Sequence, residues 1–291
     1  MVRPDDIEVV DAQVHVADPD GAPIEGKEAA ARPRSRSLDV SIEEMLEAMA
    51  DVRVDAAIIA AQSLRSVGNG YGLRAAAEHP TKFGMVGTLD PGVPDLDGVV
   101  SRWRSQPGML GIRVVLLTTD QIGVWSAGKL DGLFAAAQRH AVPVCIYPPT
   151  VLGELAATIE RFPDLQFVLD HLGLPQPTSI GDRDEPPFRR LAEVLALAGR
   201  ANVAVKLTGA PTLRTTPYPF ADLWPHLHRI IEAFGVDRVI WGSDWTRTTK
   251  WCSYAESTHY LRDTAELSFS DKEQLMGRTL RRIFRWPSPT K

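Results

Sequence analysis

The chain has 291 residues, 44% hydrophobic and 24% charged, with 32 basic and 37 acidic side chains for a net charge of -5. This is globular composition, which excludes disordered, collagen-like and low-complexity chains, and its mild acidity argues against nucleic-acid or membrane partners and for a small-molecule substrate. Two cysteines, Cys145 and Cys252, cannot build a disulfide framework; the acidic start MVRPDDIEVVD does not read as a signal peptide, and no run approaches the ~20 apolar residues of a membrane span, so a cytoplasmic setting is expected.

Short β-branched runs alternate with helical patterns from end to end. The runs are Ile7–Val14, Ala56–Ala60, Phe83–Leu89, Leu110–Leu117, Val142–Tyr147, Leu165–Leu169, Val203–Leu207 and Val239–Trp241. They are almost continuously apolar rather than alternating, as parallel strands covered on both faces should be. Between them, Ser41-Ile42-Glu43-Glu44 is a capping box that opens a helix with Met45, Leu46 and Met49 on its apolar face. Helical spacing also marks Asp131 to His140, Phe188 to Leu197, Trp224 to Phe234, and a last helix with Met276, Leu280 and Ile283. With no linker dividing these units, residues 1–291 are expected to form a single (β/α)8 TIM barrel, an α/β fold. An open doubly wound sheet is the alternative, but no glycine-rich phosphate turn follows the first strand.

In such a barrel the chemistry collects where the strands end. The first strand ends with Gln13 and His15, two apart and so on one face. The fourth carries Arg113, the fifth ends at Tyr147, the sixth at Asp170-His171, the seventh at Lys206, and the eighth at Asp244. Each has a structural reading taken alone: a satisfied histidine, a capping aspartate, an arginine bridging strands. Several ionisable groups aimed at one mouth are costly unless used, which favours function for His15, His171 and Asp244 and leaves Arg113 evenly balanced. Asp170 reads as structural, because its side chain should point away from that of His171.

The stretches Val10–His15, Gly111–Arg113, Leu169–Gly173 and Asp237–Trp245 fall in barrel order and resemble the amidohydrolase superfamily, in its amidohydrolase-related (family 2) branch. The resemblance implies a (β/α)8 barrel whose members mostly hold one or two metal ions, bound by a His-x-His pair on strand one, histidines on strands five and six, and an aspartate on strand eight. This chain departs twice: Gln13 stands for the first histidine of the pair, and Tyr147 for the strand-five histidine. An amide is a poor zinc ligand, so no tightly bound metal is expected, a single divalent ion such as zinc on His15, His171 and Asp244 being the alternative. The same erosion makes the chain similar to the metal-independent pyrone-dicarboxylate lactonases, as does Lys206–Pro211. The resemblance therefore implies a hydrolase that opens a cyclic ester.

Ester hydrolysis needs an activated water and a stabilised oxyanion. Asp244 is the candidate base, its carboxyl expected to be raised by apolar Trp241 and Trp245; His15, His171 and Tyr147 are candidates to polarise the carbonyl. Carboxylates on the substrate would be met by Arg113, Arg214 or Arg247, with Gln13 also in reach. Lys206 either neutralises Asp244, binds substrate or forms a structural ion pair. The loop 16–40, with Arg32, Arg34 and Arg36, reads equally as a lid or a solvated loop. A metal-dependent decarboxylase or hydratase and a non-catalytic binding barrel are the competing functions. Homo-oligomers are compatible with the sequence, which marks no interface.

Overall fold

The computed structural model describes residues 7–18, 40–61, 69–177 and 186–289. Eight strands, β1 (Val10–Val14), β2 (Ala56–Ala60), β3 (Phe83–Gly87), β4 (Met109–Val115), β5 (Val144–Tyr147), β6 (Phe167–Leu169), β7 (Val203–Lys206) and β8 (Val239–Ile240), pair in parallel and in sequence order. The Ala12 N–H donates to the Trp241 carbonyl at 3.3 Å, and the Asp244 N–H to the Gln13 carbonyl at 3.0 Å. These bonds join the end of the eighth strand to the first and close a (β/α)8 barrel. Every strand residue is buried, which is why the sequence runs are apolar throughout.

The helices wrap the outside: α1 (Ile42–Asp51), α2 (Gly70–Glu78), α3 (Leu96–Ser101), α4 (Thr119–Ser126), α5 (Asp131–Arg139), α6 (Leu152–Arg161), α7 (Leu191–Ala196) and α8 (Trp224–Phe234). After β8 come α9 (Trp245–Thr248), α10 (Tyr254–Arg262), α11 (Phe269–Glu273) and α12 (Thr279–Phe284). The capping box at α1 forms as expected: the Glu44 N–H donates to Ser41 Oγ at 3.1 Å, and the Ser41 N–H to Glu44 Oε2 at 2.8 Å.

Most strands are shorter than their apolar runs, and three boundaries show a tertiary setting. The fourth strand stops at Val115, and Leu117 beyond it is 45% exposed. The helix expected from Phe188 begins at Leu191, because Phe188 stacks flat on His226 of α8, with ring centroids 3.8 Å apart. The last helix is preceded by a π turn over Gln274–Arg278. That wider turn frees the Leu275 carbonyl, which accepts the Trp241 N–H at 2.7 Å.

Inside the barrel, Val10, Ala12, Ile58, Val86, Cys145, Val168, Ala204 and Ile240 pack with Leu280, Phe284 and Trp286. Phe284 and Trp286 lie against Gly111 and Gly84 near the strand starts, so apolar side chains plug that end. The polar side chains are left to collect at the other end, where the strands finish.

Candidate active site

Backbone conformation aims the site before any side chain acts. At the end of β6, His171 (φ 53°) and Leu172 (φ 57°) are left-handed, and so is Asp244 (φ 53°) after β8. Left-handed non-glycine residues cost roughly 1–3 kcal/mol each and persist only where neighbours hold them. Here the His171 N–H is held by Thr208 Oγ1 at 3.0 Å, the Asp244 N–H by the Gln13 carbonyl, and the His15 N–H by Thr246 Oγ1 at 2.9 Å. Asp11 fastens β1 to the loop after β8: it accepts from the Ser243 N–H (2.8 Å), the Gln13 N–H (3.0 Å), the Tyr254 hydroxyl (3.0 Å) and the Ser243 hydroxyl. Burial outweighs those four donors and pushes the Asp11 carboxyl up to about 6. Sequence reasoning did not single out Asp11, yet an acid inside an apolar strand was the signal, since a buried carboxylate has to be paired.

His15, His171 and Asp244 meet at the mouth. His15 Nε2 lies 3.2 Å from Asp244 Oδ1, and His171 Nδ1 lies 3.6 Å from Asp244 Oδ2. The other ring nitrogen of His15, Nδ1, is 2.8 Å from the Ala60 carbonyl, which can only accept, so Nδ1 carries a proton. Arg247, three residues on, donates from Nε to Asp244 Oδ2. Burial alone would raise the Asp244 carboxyl. The Arg247 guanidinium first, then His171 and His15, more than reverse this and hold it well below the usual carboxylate range. The expectation of a raised Asp244 is thereby corrected, because Trp241 and Trp245 bury the group while Arg247 sets its ionisation. Burial also pushes the His171 imidazole down to about 3, so it is neutral.

Beneath this triad lies a second polar layer. Asp170 accepts from Arg113 Nε at 2.8 Å and pairs with Lys206 Nζ at 2.9 Å. Against the effect of burial, these two cations hold the Asp170 carboxyl far down, and Asp170 in turn raises Lys206. Lys206 therefore pairs with Asp170 and not with Asp244. Arg113 Nη1 also donates to the Ala61 carbonyl at 2.9 Å. Gln13, wholly buried, sits between the layers, 3.4 Å from Lys206 Nζ through Oε1 and 3.1 Å from His171 Nε2 through Nε2.

The remaining expected residues surround these. The Tyr147 ring meets His171 edge-on, centroids 4.8 Å apart, and its hydroxyl, pushed up by burial to about 12, donates to the Leu174 carbonyl at 3.2 Å. Arg214 lies over the Phe220 ring and donates to the Pro211 and Trp251 carbonyls. Gln176, which the sequence did not flag, accepts from Arg247 Nη2 at 3.2 Å and from the Thr212 hydroxyl at 2.8 Å. A side chain on Gly209 (φ 71°) would come within 2.7 Å of both Arg247 and Gln176, so this glycine makes room for their contact. Residues 19–39 of the expected lid, with Arg32, Arg34 and Arg36, lie outside the described residues, as do 178–185 of the loop after β6. Among the described residues, no three His, Cys, Asp or Glu side chains converge as a bound metal ion requires, and no helix is long and apolar enough to cross a membrane.

The family model described as amidohydrolase matches residues 10–286. An L-fucono-1,5-lactonase from Burkholderia ambifaria is 30% identical over 179 residues, 60% of this chain and 59% of that one, so the match spans less than two thirds of that relative. An L-fucono-1,5-lactonase from Burkholderia multivorans is 32% identical over 230 residues, 75% of this chain and 76% of that one. The crystal structure of a Burkholderia multivorans amidohydrolase with bound HEPES superposes with a TM-score of 0.76 at 22% identity, covering 96% of this chain and 100% of that chain, and shows the same fold. The chain belongs to the amidohydrolase family.

Proposed function

We propose that this amidohydrolase opens a small, anionic lactone by direct attack of water, with Asp244 as general base and no resident metal. The observation that carries the reading is a wholly buried carboxylate at the mouth, Asp244, whose Oδ1 lies 3.2 Å from His15 Nε2. Arg247 engages the other oxygen, Oδ2, and leaves Oδ1 beside His15. A water donating one O–H to Asp244 Oδ1 turns a lone pair outward. As that lone pair attacks the lactone carbonyl carbon, Asp244 takes the proton. Guanidinium N–H groups of Arg247 and Arg113 left over from their protein contacts face the developing oxyanion and a substrate carboxylate. The ring C–O bond then breaks, and the proton returns to the leaving ring oxygen, giving a hydroxy acid.

Two features support the anionic, metal-free form of the reading, and the relatives support its lactone chemistry. Arg113 and Lys206 share the single carboxylate of Asp170, which leaves a positive charge for a substrate carboxylate to meet. Asp244 Oδ2 is already paired with Arg247, and His171 Nε2 faces the Gln13 amide, so these donors do not fit a resident ion. The relatives named above are L-fucono-1,5-lactonases, which supports a lactone as the substrate. The test is proton release from L-fucono-1,5-lactone and from carboxylate-bearing lactones, followed with a pH indicator. Ring opening by the native protein and its loss by about 10²-fold or more in Asp244→Asn is expected. Inertness towards every lactone, or full activity in Asp244→Asn, contradicts the reading.

A further inference from the structure

We infer that Gln13 and Lys206 are positioning residues that fix the tautomer and orientation of His171, and that they do not touch substrate. The catalytic consequence rests on the lactonase reading above; the tautomer itself does not. Both side chains belong to residues with no exposed surface, as does Asp170 below them. They form a chain of contacts from the barrel interior to the base: Asp170 to Lys206 at 2.9 Å, Lys206 to Gln13 at 3.4 Å, Gln13 to His171 at 3.1 Å, His171 to Asp244 at 3.6 Å.

Donor and acceptor chemistry gives this chain one direction. An ammonium has only donors, so the Gln13 atom that Lys206 reaches is the amide oxygen. The amide nitrogen is then the atom facing His171 Nε2, and it also has only hydrogens to offer. His171 Nε2 therefore accepts, and its proton sits on Nδ1. The far side of the ring agrees independently: Nδ1 faces two oxygens that can only accept, the Thr208 carbonyl at 3.4 Å and Asp244 Oδ2 at 3.6 Å, with the Thr208 hydroxyl, which can accept as well as donate, at 3.2 Å. Lys206 is itself immobilised by Asp170, which Arg113 grips on its other oxygen. An imidazole in the opposite tautomer would turn a lone pair towards the carboxylate and push it away from the water it must deprotonate. Gln13 thus supplies, at a position where the family places a metal-binding histidine, the donor that keeps His171 facing the base.

The experiment is long-range 1H–15N correlation of the histidine side chains at neutral pH, with His171 assigned by comparison with His171→Gln. The native protein is expected to show His171 as the Nδ1–H form. Gln13→Glu replaces the amide donor by an acceptor and should reverse the tautomer; Lys206→Met unpins the amide and should give a mixture. In both variants kcat should fall about 10- to 100-fold while KM stays within about two-fold, as for loss of an outer-shell partner. An Nε2–H form in the native protein, an unchanged tautomer in Gln13→Glu, or a raised KM at constant kcat overturns the inference. Gln13→Glu retains the Lys206–Asp170 pair, so it decides the matter if Lys206→Met does not fold. Tautomers that behave as stated in a protein that opens no lactone would sustain this inference and refute the lactonase reading.

Discussion

Substituting Arg247 by methionine isolates what sets the ionisation of the base. The guanidinium is a quarter exposed, whereas the Asp244 carboxylate is fully buried. Opposite charges about 4 Å apart at an effective dielectric near 20 interact by about 4 kcal/mol, equivalent to roughly 3 pH units for the carboxyl. Screening at the exposed side of the guanidinium reduces this to about 1–2 pH units. The sign follows from the depressed carboxyl: removing the cation raises its pKa, so Asp244 loses its charge at a higher pH than in the native protein. The acid limb of kcat/KM for lactone opening should accordingly move up by about 1–2 pH units in Arg247→Met, while the native profile stays flat through pH 5. The stability that ionised Asp244 contributes is present above its unfolded value of about 4 and is lost as pH falls through the folded value. In the variant that loss should be smaller and complete at a higher pH. An acid limb at the same pH in both proteins would refute the argument that Arg247 governs the base.

Asp11 is raised to about 6 by burial, so the folded state holds its proton more tightly than the unfolded chain, and its contribution to stability is largest at low pH. Denaturant unfolding of native protein and Asp11→Asn between pH 4 and 7 should show the native protein losing about 3 kcal/mol relative to the variant as pH rises. A constant difference would contradict it. Gly242→Ala would place a Cβ 2.5 Å from Thr208 Cγ2 and 3.0 Å from the Ala12 backbone nitrogen. Melting curves should show it destabilised by about 1–3 kcal/mol, with activity reduced because Thr208 holds the His171 backbone; a neutral effect would contradict this packing.

The barrel was legible because each strand is buried on both faces, and the eight apolar runs record that burial directly. His15, His171 and Asp244 were legible for a related reason: ionisable side chains just past apolar strands have little to do but converge. What the pattern could not carry was pairing. Lys206 and Asp170 are distant in sequence, and only the ring closure of the barrel makes them partners beneath the site. The contact of Arg247 with Asp244 did have a local trace, the spacing of three residues on one short helix, but whether that arginine faces the carboxylate or solvent depends on Gln176 and the space above Gly209. The π turn before α12 was hidden because its cause, the Trp241 N–H, lies on another element.

We propose that a carboxylate-driven water, without a resident metal, opens a lactone ring in this barrel. The most direct measurement is the rate of lactone opening by protein exhaustively treated with chelator and checked for metal by elemental analysis, beside Asp244→Asn treated identically. An unchanged rate is expected in the native protein at negligible metal content, and a rate lower by about 10²-fold or more in the variant. A rate that disappears on chelation and returns with a stoichiometric divalent ion would contradict it.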